Sequence, residues 1–187
     1  MTQNENKKLV LHICCAVCGA YLCELLRNQF QEIILYFYNP NIWPKEEYER
    51  RKQSVQKLAE IYNLEFMEGD YDSDNWSRVI KGLENEPEGG KRCPICFEVR
   101  LRKTAEIAGK KNFGHFATTL AISPYKSEKI VDEIGNKLAG ELNLSYLSTY
   151  IMGDLNKNEI WQKTRELAKR FEFYHQKYCG CNFSVKK

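Results

Sequence analysis

Leu9-Val10-Leu11-His12-Ile13-Cys14-Cys15-Ala16-Val17-Cys18-Gly19 is the stretch on which the reading of the chain turns. The apolar run Leu9 to Ile13 passes into a cysteine-dense turn. A segment from about Cys18 to Phe30 follows, with Leu22, Leu25, Leu26 and Phe30 at helical spacing. A buried strand, a tight turn and a helix start are where open α/β sheets place their ligands, because the turn lies at the carboxyl end of the strand and the helix offers unpaired N–H groups. The turn therefore reads as an active-site element. Two further groups, Cys93-Pro94-Ile95-Cys96 and Cys179-Gly180-Cys181, lie far away in sequence, and seven of the eight cysteines belong to these three groups. A fold that brings them together is the simplest account. Cys23 falls within the apolar helix pattern and is assigned to the core.

Apolar runs and helical patterns alternate along the rest of the chain. Strands are expected at 8–13, 32–38, 64–68, 113–118 and 144–151, and helices at 45–62, 93–111, 128–142 and 158–171. Asn39-Pro40-Asn41-Ile42-Trp43-Pro44 ends the second strand as a rigid loop, and Ser73 or Asp74 is expected to cap a short helix running to Lys81. This pattern predicts a single α/β domain over 1–187, a mostly parallel five-stranded sheet with helices on both faces. The helix at Cys93, the C-terminal helix and the tail are expected to cap the site over the strand ends. The charged start of the helix at 45–62, with Glu46, Glu47, Tyr48, Arg50 and Arg51, serves the site if the helix start faces it and reads by default as a solvated face.

A length of 187 residues suffices to bury a sizeable core without covalent staples. The polar opening residues lack a signal-peptide pattern, and no run approaches the roughly 20 apolar residues that span a bilayer. The expectation is a soluble, cytoplasmic protein with no membrane partner. In a reducing compartment, paired cysteines suggest metal binding or redox work rather than a disulfide framework. A net charge of +3 argues against a globally basic nucleic-acid binder. The basic character is local: Lys91, Arg92, Arg100, Arg102, Lys103, Lys110 and Lys111 outnumber Glu98 and Glu106 in one stripe. Asp70, at the expected end of the third strand, is placed to ligate a metal or donate a proton, or simply to cap a turn.

Three chemistries suit the cysteines. Structural zinc needs four ligands, which Cys15, Cys18, Cys93 and Cys96 could supply as two Cys-x-x-Cys knuckles, leaving the others unexplained. A thiol–disulfide oxidoreductase would use Cys93 and Cys96 at a helix start. An iron–sulfur cluster needs four thiolates, which Cys14, Cys15, Cys93 and Cys96 could provide, leaving Cys18, Cys179 and Cys181 for a second metal or a dithiol. The cluster uses the most of the motifs. ATP chemistry is disfavoured, since the loop after the first strand has no run of glycines to cradle a pyrophosphate.

Several blocks resemble a known family. Leu11-His12-Ile13-Cys14-Cys15-Ala16-Val17-Cys18, Tyr36-Phe37-Tyr38-Asn39-Pro40-Asn41-Ile42-Trp43-Pro44, Arg92-Cys93-Pro94-Ile95-Cys96-Phe97-Glu98-Val99-Arg100-Leu101, Thr118-Thr119-Leu120 with Ser123-Pro124-Tyr125-Lys126, and Tyr178-Cys179-Gly180-Cys181-Asn182-Phe183-Ser184 look like the signature blocks of the cobalamin-independent epoxyqueuosine reductase family, QueH. The blocks span nearly the whole chain in order. The resemblance implies a nucleotide-hydrolase-like (Rossmann-like) fold and the two-electron reduction of epoxyqueuosine in tRNA to queuosine. It implies a [4Fe-4S] cluster on Cys14, Cys15, Cys93 and Cys96, and a redox-active pair at Cys179 and Cys181. Cys18 is then the candidate ligand for an additional mononuclear iron or other metal, Asp70 and Asp154 are candidate proton donors, and an external electron donor is required. With tRNA as substrate, Arg92, Arg100, Arg102, Lys103, Lys110 and Lys111, with Lys126 at a helix start, are expected on phosphates, the alternative being a solvated helix face. Tyr38 and Asn39 are expected at the substrate, and Tyr36, Tyr38 and Trp43 are candidates for stacking on an extruded base. The chain departs from the family at Gly153-Asp154-Leu155-Asn156-Lys157 and Tyr174-His175-Gln176-Lys177, where the family usually has Asp-Phe-Arg-Lys-like and Tyr-Arg-Gln sequences. The rival from another class is a zinc-stabilised tRNA- or nucleotide-binding module without redox chemistry.

Overall fold

In the computed structural model, which describes residues 7–148 and 156–184, five strands form one sheet in the order β3-β2-β1-β4-β5. They are β1 (Lys8–His12), β2 (Glu32–Phe37), β3 (Glu65–Glu68), β4 (His115–Thr118) and β5 (Ser145–Leu147), and every pairing is parallel. The helices are α1 (Ala16–Leu26), α2 (Lys45–Tyr62), α3 (Ser73–Val79), α4 (Arg92–Lys110), α5 (Glu128–Leu142) and α6 (Lys157–Arg170). The α/β class and the parallel five-stranded sheet match the expectation from the sequence.

The centre of the sheet follows from composition. Leu9, Val10 and Leu11 of β1 are fully buried, a continuous apolar run that suits a strand covered on both faces. α1, α2 and α6 pack together on one side, while α4 and α5 cover β1, β4 and β5 on the other. β3 and β5, at the edges, are short and partly exposed. Because the chain passes from edge strand β3 back to β4 beside β1, the carboxyl end of β1 lies between loops that leave in opposite directions across the sheet. That crevice is the usual ligand position in open α/β sheets.

Element boundaries depart from the expected ones for identifiable reasons. α1 begins at Ala16 because Cys15, in an extended conformation, caps it: its sulfur accepts the N–H of Cys18. Phe30 packs on the core from the turn after α1 rather than from its last turn. Asp72, one residue before the expected caps, holds the start of α3 by accepting the N–H of Asn75. α2 runs as expected, with Glu46 and Glu47 in its first turn beside the positive end of the helix dipole and Asn63 closing it in a left-handed conformation. α4 covers the sheet with most of its length. α6 lies along α1, and the segment after it carries the capping contacts. Of the strand expected at 144–151, residues 149–151 lie outside the described residues, as does Asp154.

Gly19 lets α1 close down on β1. A Cβ there would meet Ile13 Cδ1 at 2.3 Å and Leu58 Cδ2 at 2.9 Å. Gly19→Ala should therefore push α1 off the strand–turn junction and destabilise the fold by about 1–3 kcal/mol through overpacking. Chemical denaturation of the variant beside the wild type measures this, and an unchanged midpoint would refute it.

Candidate active site

The ends of three strands are tied by one imidazole. His12 is fully buried, its Nε2 lies 3.2 Å from the Tyr38 carbonyl and its Nδ1 lies 2.8 Å from Thr118 Oγ1. A carbonyl only accepts, so Nε2 carries the proton and Nδ1 accepts from the Thr118 hydroxyl. Burial, with the Arg100 guanidinium adding, lowers the His12 pKa to about 4 and keeps the ring neutral. Asn39 Nδ2 donates to the Ile13 carbonyl at 2.9 Å, and the Cys14 N–H donates to Thr119 Oγ1 at 3.2 Å. Residues after β2 and β4 thereby fix the backbone on which the cysteine turn begins.

The sulfurs of Cys14, Cys15 and Cys18 lie within 4.8 Å of one another, the one cluster of three such donors among the described residues. Cys15 Sγ is 3.9 Å from Cys14 Sγ and accepts a 2.9 Å hydrogen bond from Gln176 Nε2. Hydrogen bonds from Cys15 and Cys18, with the charge of Lys126 nearby, hold the Cys14 pKa well below that of an ordinary thiol. The same sharing pushes Cys15 up to about 12 and raises Cys18. Three sulfurs at the start of α1, where the helix dipole favours an anion and Cys14 is the thiol biased toward giving up its proton, form a donor set suited to a thiophilic metal or an iron–sulfur cluster.

Beside the triad lies a cavity lined by Cys93, Cys96, Cys179 and Cys181 together with Arg92, Arg100, Lys126, Trp76, Asn41, Phe97 and Tyr125. Two of the three cysteine segments meet there, and Lys126 in the lining lies near enough to Cys14 and Cys18 of the third to be affected by their charge. Trp76, Ile80, Cys96 and Cys181 form a small separate core, with Cys179 packed against it. Burial pushes the Cys181 thiol up to about 11 and raises Cys93. Lys126 joins the two cysteine groups. Burial opposes its charge, but Cys14, Cys18 and Cys179 outweigh that and raise its pKa. Cys23 is fully buried in the main core, where burial alone raises its pKa.

The tail is held by residues that look solvated in the sequence. Arg51 and Glu47, only 2% and 6% exposed, pair at 2.7 Å. Arg51 also donates to the carbonyls of Cys179 and Tyr178 at 3.1 and 2.9 Å, and the Tyr174 hydroxyl donates to Glu47 at 2.7 Å. Gly180 has φ +110°, and a Cβ there would meet Ile42 at 2.8 Å. Glycine is therefore required between the two cysteines. The charged residues of a helix start were the signal, but nothing in the sequence places their partners on the tail.

The remaining predicted residues divide. Arg92 and Arg100 line the cavity yet are buried: Arg92 Nη1 donates to the carbonyls of Leu83, Glu84 and Glu86, and Arg100 Nε donates to that of Cys96. Farther along the stripe, Arg102 pairs with Glu98 and Glu141, Lys103 with Glu106, and Lys111 with Glu65. Tyr36 and Tyr38 are buried and stacked on each other, whereas Trp43 is exposed. Asp70 is exposed at the end of β3 and is absent from the cavity lining.

The profile of the family described as epoxyqueuosine reductase QueH matches residues 9–187. The epoxyqueuosine reductase QueH of Streptococcus pyogenes is 38% identical over 190 residues, covering 98% of this chain and 72% of that protein. That of Acinetobacter baylyi is also 38% identical, over 179 residues, covering 96% and 81%. Among solved structures, the U34-tRNA thiolase NcsA of Methanococcus maripaludis with its [4Fe-4S] cluster overlays 98% of this chain and 79% of its own, at 15% identity and a TM-score of 0.45. That likeness is too loose to transfer anything.

Removing Arg51 would leave the Glu47 carboxylate buried without its ion-pair partner and free two carbonyls of the cysteine tail. Arg51→Ala should cost about 3–5 kcal/mol, whereas the double variant Arg51→Met with Glu47→Gln should recover much of the loss. Denaturation of the wild type and the two variants tests this, and a double variant no more stable than Arg51→Ala would refute it.

Proposed function

Because the chain belongs to the epoxyqueuosine reductase QueH family, we propose that its cysteine-lined cavity is where epoxyqueuosine in tRNA is reduced to queuosine. The protein is an oxidoreductase of tRNA queuosine biosynthesis. The observation that supports the location is a cavity lined by four cysteines from two distant segments, whose Lys126 also feels the charge of Cys14 and Cys18 in the buried triad at the carboxyl end of β1.

Converting an epoxide to an alkene releases the oxygen as water and consumes two electrons and two protons. Oxidation of a dithiol to a disulfide yields two electrons and two protons, so Cys179 and Cys181 match that demand as a pair, and an external donor must then reduce them. Cys14, Cys15, Cys93 and Cys96 would hold a [4Fe-4S] cluster, with Cys18 as ligand to a second metal. The cluster, when bound, supplies single electrons at low potential. Support for a metal-binding role comes from the buried triad, its bias toward a thiolate at Cys14, and the Lys126 cation set between the two cysteine groups. Lys126 and Arg100 offset the negative charge that ligand thiolates bring. The small core around Trp76 keeps water from Cys96 and Cys181.

The test is anaerobic purification, with visible absorption and iron and sulfide analysis, alongside mass spectrometry of epoxyqueuosine-containing tRNA after reaction. Serine at Cys14, Cys15, Cys93 or Cys96 should each lower iron content and activity together. The double variant Cys179→Ser with Cys181→Ser should abolish epoxide reduction while leaving the cluster absorption intact. Loss of the cluster in that double variant would move the tail cysteines into the ligand set, and a colourless wild type with stoichiometric zinc would refute the cluster.

A further inference from the structure

Among the described residues, the large apolar side chains left exposed are Trp43, Val79, Tyr125, Leu142 and Phe183. Each of the three aromatic ones lies in or next to a segment that lines the cavity, Trp43 two residues after Asn41 and Phe183 between Cys181 and Ser184. Tyr125, 80% exposed, belongs to the cavity lining. Trp43, 55% exposed, donates its backbone N–H to the carbonyl of Gly180, between the two tail cysteines, and its own carbonyl accepts the Tyr178 hydroxyl. Phe183, 37% exposed, stacks on Trp76 at 6.3 Å between centroids, with the Arg92 guanidinium 5.0 Å from its ring. Trp76 and Arg92 both line the cavity.

Topology explains the grouping. Trp43 comes from the loop after β2 and Tyr125 from the loop after β4, the two neighbours of β1, so they flank the thiol turn on either side. Phe183 comes from the tail that closes over the cavity. The three rings are carried by separate segments that converge on one cavity, so no single packing requirement accounts for their exposure. Exposed aromatic rings beside a cavity for a nucleobase are the recurring means of holding unpaired nucleotides, since every base has a face to stack. A base can enter a cavity of this kind only when it is out of a helix, and its neighbours in the strand are then unstacked as well.

We propose that Trp43, Tyr125 and Phe183 form a stacking rim that binds the unpaired nucleotides next to the base being reduced, so that the protein selects single-stranded RNA by base faces rather than by phosphate charge. The inference rests on tRNA being the substrate. It also fits the engagement of the predicted basic stripe, most of whose charges are already paired or hydrogen-bonded within the protein.

The experiment measures equilibrium binding, without turnover, of the full chain to a short single-stranded RNA of mixed sequence and to the same sequence in a duplex. The wild type should prefer the single strand. Trp43→Ala, Tyr125→Ala and Phe183→Ala should each raise its Kd by about fivefold or more, while the slope of log Kd against log salt stays that of the wild type. Phe183→Leu, which keeps apolar volume over Trp76 but removes the ring, guards against a folding defect and should weaken binding similarly. Tyr125→Phe should restore it. Equal wild-type affinity for duplex and single strand, no binding of either RNA, or alanine variants with unchanged Kd would overturn the proposal. Self-association of the wild type in sedimentation that the triple alanine variant loses, with RNA binding unaffected, would also overturn it by assigning the rings to an interface between copies. Binding is read apart from catalysis, so a protein that stacks single strands yet fails to reduce epoxyqueuosine would sink the reductase site and leave the rim standing.

Discussion

The neutral imidazole of His12 is the constraint on which the site is built. Parallel strands deliver their carboxyl ends to one edge of the sheet, but nothing in the ladder itself fixes how the loops beyond them sit. His12 ends the central strand and spends both ring nitrogens on its neighbours, one on the Tyr38 backbone and one on Thr118. A charged ring could not accept from Thr118, and burial prevents that charge at neutral pH. With the strand ends fixed, Asn39 and Thr119 hold the backbone of Ile13 and Cys14 from opposite sides. The three loops that carry Trp43, the thiol triad and Lys126 therefore leave from one rigid platform.

The second condition is closure by the tail. A buried ion pair stabilises little unless its remaining hydrogen-bonding capacity is met. Glu47 and Arg51 meet theirs with Tyr174 and with the carbonyls of Tyr178 and Cys179. The pair is tolerable in the interior because the tail is in place, and the tail is in place because the pair offers donors at that point. This reciprocity links the positioning of Cys179 and Cys181 to a helix on the opposite side of the sheet from α4, which brings Cys93 and Cys96.

Much of the fold was legible because its signals are local. The apolar run of β1, the cysteine turn and the helix after it lie within one short stretch, and the bounds of α2 follow from Pro44, an acidic first turn and Asn63. Cys23 was separable from the other cysteines by its place in an apolar helical pattern. What escaped was long-range. Arg51 and Glu47 belong to a densely charged helix that reads as solvated, and their partners lie more than a hundred positions away. Arg92 and Arg100 look like a phosphate track in a linear count, yet α4 turns both inward, where backbone carbonyls take up part of their donor capacity. Tyr38 is likewise apolar in its use, stacked on Tyr36 through the two-residue repeat of β2.

The cysteines differ by environment rather than by residue type, and at Cys14 and Cys181 the difference matches what the proposed reaction asks of them. A metal ligand must give up its proton, and the thiol nearest that state, Cys14, accepts hydrogen bonds from its neighbours beside a helix start and the Lys126 ammonium. A thiol that is to deliver a proton along with its electron must instead keep that proton until oxidation. Cys181 meets this condition, because the small core around Trp76 excludes water and raises its pKa. Hydrogen bonds from its neighbours, helped by Lys126, thus set Cys14 apart from Cys15 and Cys18, which the same sharing raises, and from Cys93 and Cys181, which burial raises. The proposed reaction draws on both kinds, and a uniform environment would supply only one.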